Sequence, residues 1–203
     1  MVEAYNPLDK LNLGKSVVEA LLELPPADLA SLMPFQGAGI YAIYYSGSFG
    51  PYQPIAVSHI AEPSSPIYVG KAVPSGSRKG ASLASIDSGR WLFSRLSEHR
   101  DSISAANNLK LEDFHVRYLA VDDIWIPLGE ALLISTFNPV WNQLIDGFGN
   151  HDPGAGRYNG LRPLWDVLHP GRHWAEKCKS RTETVEDIGQ KIIDFYAAKT
   201  LKA

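Results

Sequence analysis

The sequence predicts an α+β fold in which helices flank a small sheet. Short β-rich runs at residues 40–45, 66–70 and 113–121 alternate with longer segments whose apolar residues follow helical spacing. The 203 residues, 45% of them hydrophobic, supply enough apolar surface for the core of one domain. We therefore expect a single domain, residues 1–203, with the element order α-α-β-β-α-β-α followed by a glycine-rich tail.

The N-terminal region, residues 1–36, is predicted to be a helical extension. Residues 15–24 have the apolar spacing of a helix, and Pro25 and Pro26 stop that helix because proline cannot continue it. A second short helix is expected at residues 27–32.

A long irregular segment separates the first two predicted strands. The apolar runs at residues 40–45 and 66–70 predict these strands. Between them, residues 46–65 are rich in glycine, proline and serine, which predicts an extended loop or a hairpin. Residues 73–88 predict a polar, glycine-rich loop after the second strand.

The second half of the chain is predicted to contain three helices and one strand. Residues 89–107 and 124–137 have helical spacing, and residues 113–121 alternate like a strand. The tail, residues 146–203, is dense in glycine and proline at first and then forms an amphipathic helix at residues 183–202.

The net charge of −3 is unevenly distributed along the chain. Residues 71–118 carry 8 basic against 5 acidic residues, and residues 151–182 carry 6 against 3. Between them, residues 119–150 contain no lysine or arginine and 4 acidic residues. This pattern is compatible with a basic groove around a metal-binding carboxylate, and equally with ordinary surface patterning.

The cysteine content and the chain termini exclude several classes of protein. The single cysteine, Cys178, cannot form an intrachain disulfide, which indicates a reducing cytoplasm. Residues 1–13 lack the pattern of a secretory signal, and no apolar run reaches the ~18 residues of a membrane span. His169, His173 and Cys178 do not have the spacing of a closed zinc site.

Several residues whose side chains could take part in catalysis lie one after another on the predicted strands and helices. Each of the first two strands carries a tyrosine, the next helix an arginine and a histidine one turn apart, and the apolar helix a glutamate. An asparagine follows, so that the set is Tyr41, Tyr68, Arg95, His99, Glu130 and Asn142. Its order and spacing over residues 39–142 resemble those of GIY-YIG nucleases, with Gly39-Ile40-Tyr41 as the first motif and Tyr68-Val69-Gly70 as the second.

The helical histidine and the arginines of the tail make the chain similar to the type II restriction endonuclease branch, in particular to enzymes that cut the palindrome CCGCGG. The resemblance implies a catalytic core at residues 37–145 with a three-stranded antiparallel sheet flanked by helices. The long separation of 26 residues between Tyr41 and Tyr68 departs from the short turn of most family members.

The resemblance also implies an activity, a cofactor and partners. We expect a site-specific endonuclease of double-stranded DNA in the bacterial cytoplasm, with one Mg²⁺ or Mn²⁺ per active site. Cleavage of both strands at a palindrome implies a homodimer on DNA. We expect neither a small-molecule cofactor nor a membrane partner.

Tyr41 and His99 are candidates for activating the attacking water. A phenol with a reference pKa of ~10 is a poor base at neutral pH, so it needs a neighbouring cation or a second base. His99 is suited to the second role because its ordinary pKa is close to neutral. The alternatives are a tyrosine of the core and a histidine on the helix surface.

Arg95 and Lys71 are candidates for stabilising the charge of the transition state. Arg95 shares a helix face with His99, and a guanidinium can neutralise a phosphorane. Alternatively, Arg95 is a surface residue paired with Glu98 or Asp101, and Lys71 is an ordinary surface lysine.

Glu130 is the predicted metal ligand. It lies in an apolar helix, where an unpaired buried carboxylate would be costly, and one carboxylate with water and phosphate oxygens suits Mg²⁺. The alternatives are that Glu130 points to solvent or caps its helix. Tyr68 and Asn142 are expected to orient water, phosphate and side chains, or else to be a core tyrosine and a turn asparagine.

Several basic residues are candidates for DNA contact, because arginine reads guanine with two hydrogen bonds in the major groove. These candidates are Arg78, Lys79, Arg157, Arg162 and Arg172. Three other functions remain open at this point: a non-catalytic DNA-binding protein on the same scaffold, a repair or homing nuclease, and a hydrolase acting on another substrate.

Overall fold

The computed structural model describes residue 6 and residues 8–56, 65–74 and 89–200. Its strands are β1 (Ala27–Asp28), β2 (Gly39–Tyr45), β3 (Tyr68–Ala72) and β4 (Phe114–Ala120). Its helices are α1 (Lys10–Glu23), α2 (Gln53–Ala56), α3 (Trp91–Ala105), α4 (Ile126–Phe137), α5 (Val140–Gln143), α6 (Leu164–Leu168), α7 (His173–Glu176) and α8 (Val185–Thr200). Short 3-10 turns lie at Gly50–Tyr52, Leu111–Asp113 and Ala155–Arg157.

Most of the predicted elements are confirmed, with shifted ends. Helix α1 begins at Lys10 because the side chain of Asp9 caps it, accepting a hydrogen bond of 2.8 Å from the amide of Leu11. Helix α4 ends at Phe137 because the next residue, Asn138, adopts a left-handed φ of 43° and closes the last turn with a 2.8 Å bond from its amide to the carbonyl of Ile134.

The second helix predicted at residues 27–32 is wrong. Instead, Ala27 and Asp28 form β1, which pairs with Val116 and His115 of β4. The two preceding prolines favour extended backbone, and the partner strand satisfies the backbone groups that a helix would otherwise have bonded internally.

The loop or hairpin predicted at residues 46–65 is also partly wrong. Residues 50–56 form a 3-10 turn followed by α2, while residues 57–64 lie outside the described part of the chain. Residues 75–88 of the second predicted loop lie outside it as well. Helices α5, α6 and α7, each of four or five residues, were not predicted.

The α+β class is confirmed, and the sheet is antiparallel with the strand order β1-β4-β2-β3. The short strand β1 makes it four-stranded rather than three-stranded. All seven residues of β2 are buried, because both faces of the sheet are covered. Tyr41, Ile43 and Tyr45 point to one face, and the intervening residues point to the other.

Two apolar clusters cover the faces of the sheet. The face that contains Tyr41 packs against α3, α6 and α8, represented by Leu96, Trp165 and Ile192. The opposite face packs against α1 and α4. The glycine-rich tail therefore contributes α6 and α8 to the same core that holds the first motif tyrosine.

No helix in the described ranges has the length and apolar character needed to cross a bilayer.

Candidate active site

The register of β2 and β3 places Tyr41 directly opposite Gly70. A Cβ atom at residue 70 would lie 2.3 Å from the hydroxyl oxygen of Tyr41, so only glycine leaves room for this hydroxyl. The Tyr41 hydroxyl lies 2.6 Å from Nε2 of His99 on α3. The sheet and α3 thus form a buried tyrosine–histidine pair.

Burial determines the protonation of this pair. Burial, followed by the charge of Arg95, holds the pKa of His99 well below its usual value. Burial also raises the pKa of Tyr41 well above its usual value, against the lowering effect of Arg95. At neutral pH the tyrosine is therefore the donor and the neutral imidazole the acceptor of their hydrogen bond.

Tyr68 and Arg95 lie beside the pair. The Tyr68 ring packs edge-on against His99, with centroids 5.2 Å apart, and lies 6.3 Å from the Tyr41 ring. Burial raises the pKa of Tyr68, and Arg95 counteracts this for both tyrosines through its charge and hydrogen bonding. The guanidinium therefore lies close to both hydroxyl groups.

Arg95 also contacts residues that lie nearer the protein surface. Its Nη1 atom lies 2.9 Å from Oε2 of Glu98 and 2.5 Å from Nε2 of His151, while Nη2 donates to the carbonyl of Gly149 at 2.8 Å. The sequence left open an ion pair of Arg95 with Glu98 or Asp101. The pair with Glu98 is present, and Arg95 still lies beside the catalytic tyrosines. Asp101 lies 3.7 Å from Arg100 instead.

Glu130 and Lys71 form an ion pair at the same end of the sheet. Nζ of Lys71 lies 2.6 Å from Oε2 of Glu130, and their side chains are 39% and 20% exposed. The charge of Glu130 contributes to the raised pKa of both Tyr41 and Tyr68. The alternative that Glu130 simply points into solvent does not describe this arrangement.

Glu130 suits a divalent cation. In the described ranges no group of three or more His, Cys, Asp or Glu side chains could enclose a metal ion. A single, partly exposed carboxylate that already attracts a cation fits Mg²⁺, which keeps several water ligands and takes others from phosphate.

Asn142 on α5 holds β3 through both ends of its side-chain amide. Its Oδ1 accepts a hydrogen bond from the amide of Val69, and its Nδ2 donates to the carbonyl of the same residue, both at 2.8 Å. The residue before it, Trp141, donates its backbone amide to the carbonyl of Ile67 at 3.1 Å. Because Tyr68 lies between these two anchor points, the side chain of Asn142 fixes the second motif tyrosine.

The family models provide one match that covers most of this structure. Residues 33–196 match the model of the Eco29kI GIY-YIG domain. The chain belongs to the Eco29kI GIY-YIG family. This is a family of type II restriction enzymes, so the resemblance stated from the sequence is confirmed, and the chain is a nuclease with DNA as its substrate. No curated protein sequence gave a match.

The candidate DNA contacts of this Eco29kI-family chain fall into different environments. Arg157 is exposed, in the 3-10 turn Ala155–Arg157, and Arg162 is half-buried, with its Nε donating to the carbonyl of Ala175 at 3.0 Å. Arg78 and Lys79 lie outside the described residues.

Arg172, the last of the candidate DNA contacts, is buried in this structure. It is only 5% exposed and forms an ion pair of 2.5 Å with Asp166. These contacts give Arg172 a structural role that the sequence pattern of the tail does not show, and they do not support the DNA contact predicted there, which stays a prediction.

A second tyrosine–histidine pair in the same core lies apart from this site. Trp141 donates to the hydroxyl of Tyr52 at 2.7 Å, that hydroxyl lies 2.7 Å from Nε2 of His169, and Nδ1 of His169 lies 2.9 Å from Oδ1 of Asn108. These contacts form one chain of donors and acceptors, and His169 is fully buried. Burial lowers the pKa of His169 to about 3, so the imidazole is neutral.

Sequence reasoning missed the loop that follows α5. Phe148 stacks on His99 with centroids 4.5 Å apart, and Gly149 and His151 contact Arg95. The density of glycine in this stretch suggested a surface loop, and no spacing linked it to a helix that lies about fifty residues earlier in the chain. The one available signal was a histidine, His151, within a basic segment.

Proposed function

We propose that this Eco29kI-family chain is a type II restriction endonuclease that hydrolyses phosphodiesters at a GC-rich palindrome such as CCGCGG, as a homodimer, with one Mg²⁺ or Mn²⁺ per active site. The observation that carries the proposal is the 2.6 Å contact between Tyr41 and a neutral His99, beside Arg95 and Glu130. These four groups supply a proton path, a cation for phosphate and a carboxylate for a metal.

In this proposal Tyr41 relays a proton and His99 accepts it. The pKa of Tyr41 is raised by burial, so a free phenolate does not form at neutral pH. A water molecule that donates to the tyrosine oxygen can instead lose its proton as the tyrosine passes its own to Nε2 of His99. The oxygen of that water attacks phosphorus, and the bond to the leaving oxygen of the DNA backbone breaks. Tyr68 orients the attacking water or the phosphate.

Two cations stabilise the charge that develops on phosphate. Arg95 is anchored by a carboxylate and a carbonyl and faces the two tyrosines, so it is oriented before substrate binds. Lys71 lies on β3 and pairs with Glu130, and its ammonium group would turn to the phosphate when Glu130 binds a metal ion. Glu130 would hold the divalent ion, which supplies Lewis-acid stabilisation of the phosphate and of the leaving oxygen.

The assembly and the cellular setting are part of the proposal. One such site cuts one strand, so symmetric cleavage of a palindrome requires two copies related by a twofold axis. Arg157 and Arg162 are the described candidates for DNA contact. The lone Cys178, which is buried, is consistent with the bacterial cytoplasm, where a restriction–modification system would operate.

Cleavage of a supercoiled plasmid that carries CCGCGG sites tests this function. The wild-type protein should give discrete fragments with Mg²⁺ or Mn²⁺ and none with EDTA, and Glu130→Gln should abolish them. Glu19→Gln, which changes an exposed glutamate on α1, serves as the matched control and should cleave like wild type. Metal-dependent nicking by Glu130→Gln at the wild-type rate would refute the assigned metal ligand, and salt-sensitive DNA binding without cleavage by wild type would favour a non-catalytic binding protein.

Sedimentation of the protein with a short CCGCGG duplex tests the assembly. Two chains per duplex support the homodimer, and one chain per duplex at saturation contradicts it.

A further inference from the structure

Three residues of the loop at residues 147–151 contact the catalytic groups. The Phe148 ring stacks on His99 at an interplanar angle of 14° and packs edge-on against Tyr68. The carbonyl of Gly149 accepts a hydrogen bond from Arg95, and the imidazole of His151 contacts the same guanidinium. The loop therefore forms one wall of the site.

A buried arginine holds this loop in place. Arg172 donates to the carbonyls of Gly147, Phe148 and Asn150 at 2.9, 3.2 and 3.1 Å. Its guanidinium also pairs with Asp166 through two nitrogens. Three of the loop's five carbonyls thus bond to a single side chain that is itself fixed by a carboxylate.

Aromatic packing immobilises Arg172 further. The carbon of its guanidinium lies 4.6 Å from the ring centre of Trp165 and 4.7 Å from that of Trp174. Gly147 has a φ of 103°, and a Cβ there would lie 2.1 Å from Pro163, so the start of the loop is also fixed by backbone geometry. The loop is thus held at several points despite its glycine content.

The contact between His151 and Arg95 specifies which group donates. A guanidinium has only donors, so the 2.5 Å contact is a hydrogen bond when Nε2 of His151 is unprotonated and accepts. Nη1 of Arg95 then gives its two hydrogens to Glu98 and His151, and Nη2 gives one to Gly149. These three acceptors fix the plane of the guanidinium, whose charge and hydrogen bonding also lower the pKa of Tyr41 and Tyr68.

We propose that His151 and Arg172 are positioning residues of the nuclease: Arg172 fixes the loop at residues 147–151, and His151 and the carbonyl of Gly149 on that loop orient Arg95 toward the scissile phosphate. This inference rests on the proposed function for its effect on cleavage. Its structural part, the orientation of Arg95 by His151, can be measured without cleavage.

Two substitutions of His151 test whether its role depends on the hydrogen-bond acceptor or only on the bulk of the side chain. His151→Leu removes the acceptor, and His151→Gln keeps one at a similar position. We expect His151→Leu to lower the single-turnover rate on the CCGCGG plasmid about 10- to 100-fold, since misplacing a catalytic group by about 1 Å has effects of this order. His151→Gln should recover the rate to within about fivefold of wild type, with DNA affinity in EDTA changed less than about threefold in either variant.

His173→Leu is the matched control, because His173 is a 94% exposed histidine with an acidic neighbour three residues later and lies outside the site. It should cleave like wild type. A His151→Leu enzyme with the wild-type rate, or a His151→Gln enzyme as slow as His151→Leu, would overturn the role of His151.

The anchor is tested by replacing the buried ion pair as a whole. Arg172→Met alone leaves the Asp166 carboxylate buried without its partner, which destabilises the fold. The double variant Asp166→Asn with Arg172→Met removes both charges and nearly keeps the side-chain volumes. It should fold and bind DNA but lose about 10- to 100-fold in single-turnover rate, as His151→Leu does. A folded double variant with the wild-type rate would overturn the role of Arg172.

Nuclear magnetic resonance of the arginine side chains distinguishes failure of this inference from failure of the proposed function. In ¹⁵N-arginine-labelled protein, the Nε–H signal of Arg95, assigned with Arg95→Lys, should report a rigid side chain in wild type and in His151→Gln, and a more mobile one in His151→Leu. If wild type cuts no DNA, the proposed function fails and this measurement still decides the positioning. Equal rigidity in His151→Leu would overturn it.

Discussion

Replacing Gly70 with alanine perturbs the catalytic tyrosine through a single methyl group. The new Cβ would lie 2.3 Å from the oxygen, 2.5 Å from Cζ and 3.0 Å from Cε2 of Tyr41, whereas ordinary contacts begin at about 3.4 Å. The φ of Gly70 is not in the left-handed region, so alanine adds no backbone strain. The substitution therefore acts through contact with the Tyr41 ring.

The steric overlap between the new Cβ and Tyr41 determines how much stability and activity are lost. The hydroxyl must move by about 1 Å, and a shift of that size breaks a 2.6 Å hydrogen bond in a buried site where water does not replace it. Losing a buried hydrogen bond of this kind costs about 1–3 kcal/mol of unfolding free energy. The proton path from Tyr41 to His99 is lost with it, so we expect single-turnover cleavage to fall about 100-fold.

Single-turnover plasmid cleavage and thermal unfolding measure the two effects. Gly50→Ala is the matched control, since a Cβ at Gly50 meets no atom within 4 Å. In a Tyr41→Phe background, Gly70→Ala should cause little further loss of rate, because both changes remove the same hydroxyl interaction. Wild-type cleavage by Gly70→Ala, or a full additional loss in the Tyr41→Phe background, would refute the reasoning.

Three further substitutions should change stability or the Mg²⁺ requirement in a defined direction. Asn142→Ala removes both bonds to Val69 and should lower the unfolding free energy by about 1–3 kcal/mol; an unchanged melting temperature in calorimetry would contradict this. His169 has its pKa lowered to about 3, so only the unfolded state binds its proton between pH 6.5 and 3, and its contribution to stability is present above pH 6.5 and lost as the pH falls. Between pH 7 and 4.5, urea unfolding should therefore show wild type losing about 3 kcal/mol more than His169→Gln, and parallel losses would exclude this linkage. Lys71→Met removes the cation that pairs with Glu130, so half-maximal cleavage should need less Mg²⁺ while the maximal rate falls; a higher Mg²⁺ requirement would show that Lys71 does not compete for the carboxylate.

The elements that were predicted correctly are those whose periodicity arises from packing. Helix α3 turns one side to the core, with Leu92, Leu96, His99 and Ile103 buried, so its pattern is visible in the sequence. Strand β1 was missed because two residues, Ala27 and Asp28, have no periodicity, and their conformation is set by pairing with β4. The short helices α5, α6 and α7 fall below the length at which a helical pattern can be recognised.

The site was predictable where its residues follow the ordered family motif. Tyr41, Arg95 and His99 could be expected together because the last two are one helical turn apart and the resemblance connects them to the first strand. The loop at residues 147–151 could not, because its place depends on bonds from Arg172, a residue that looks like a surface arginine in a polar, glycine-rich sequence. Long-range anchoring by one buried side chain leaves no local pattern.

The two bonds between Asn142 and Val69 also cover part of the outer edge of strand β3. Strand β3 is the last strand of the sheet, and the outward backbone groups of such a strand are a template on which another chain can add. The side-chain amide of Asn142 occupies the N–H and C=O of Val69 as a neighbouring strand would, and the amide of Trp141 occupies the carbonyl of Ile67. A residue that fixes the catalytic tyrosine thus also leaves fewer free backbone groups at this edge. Variants at position 142 should be screened for aggregates before any loss of activity is assigned to chemistry.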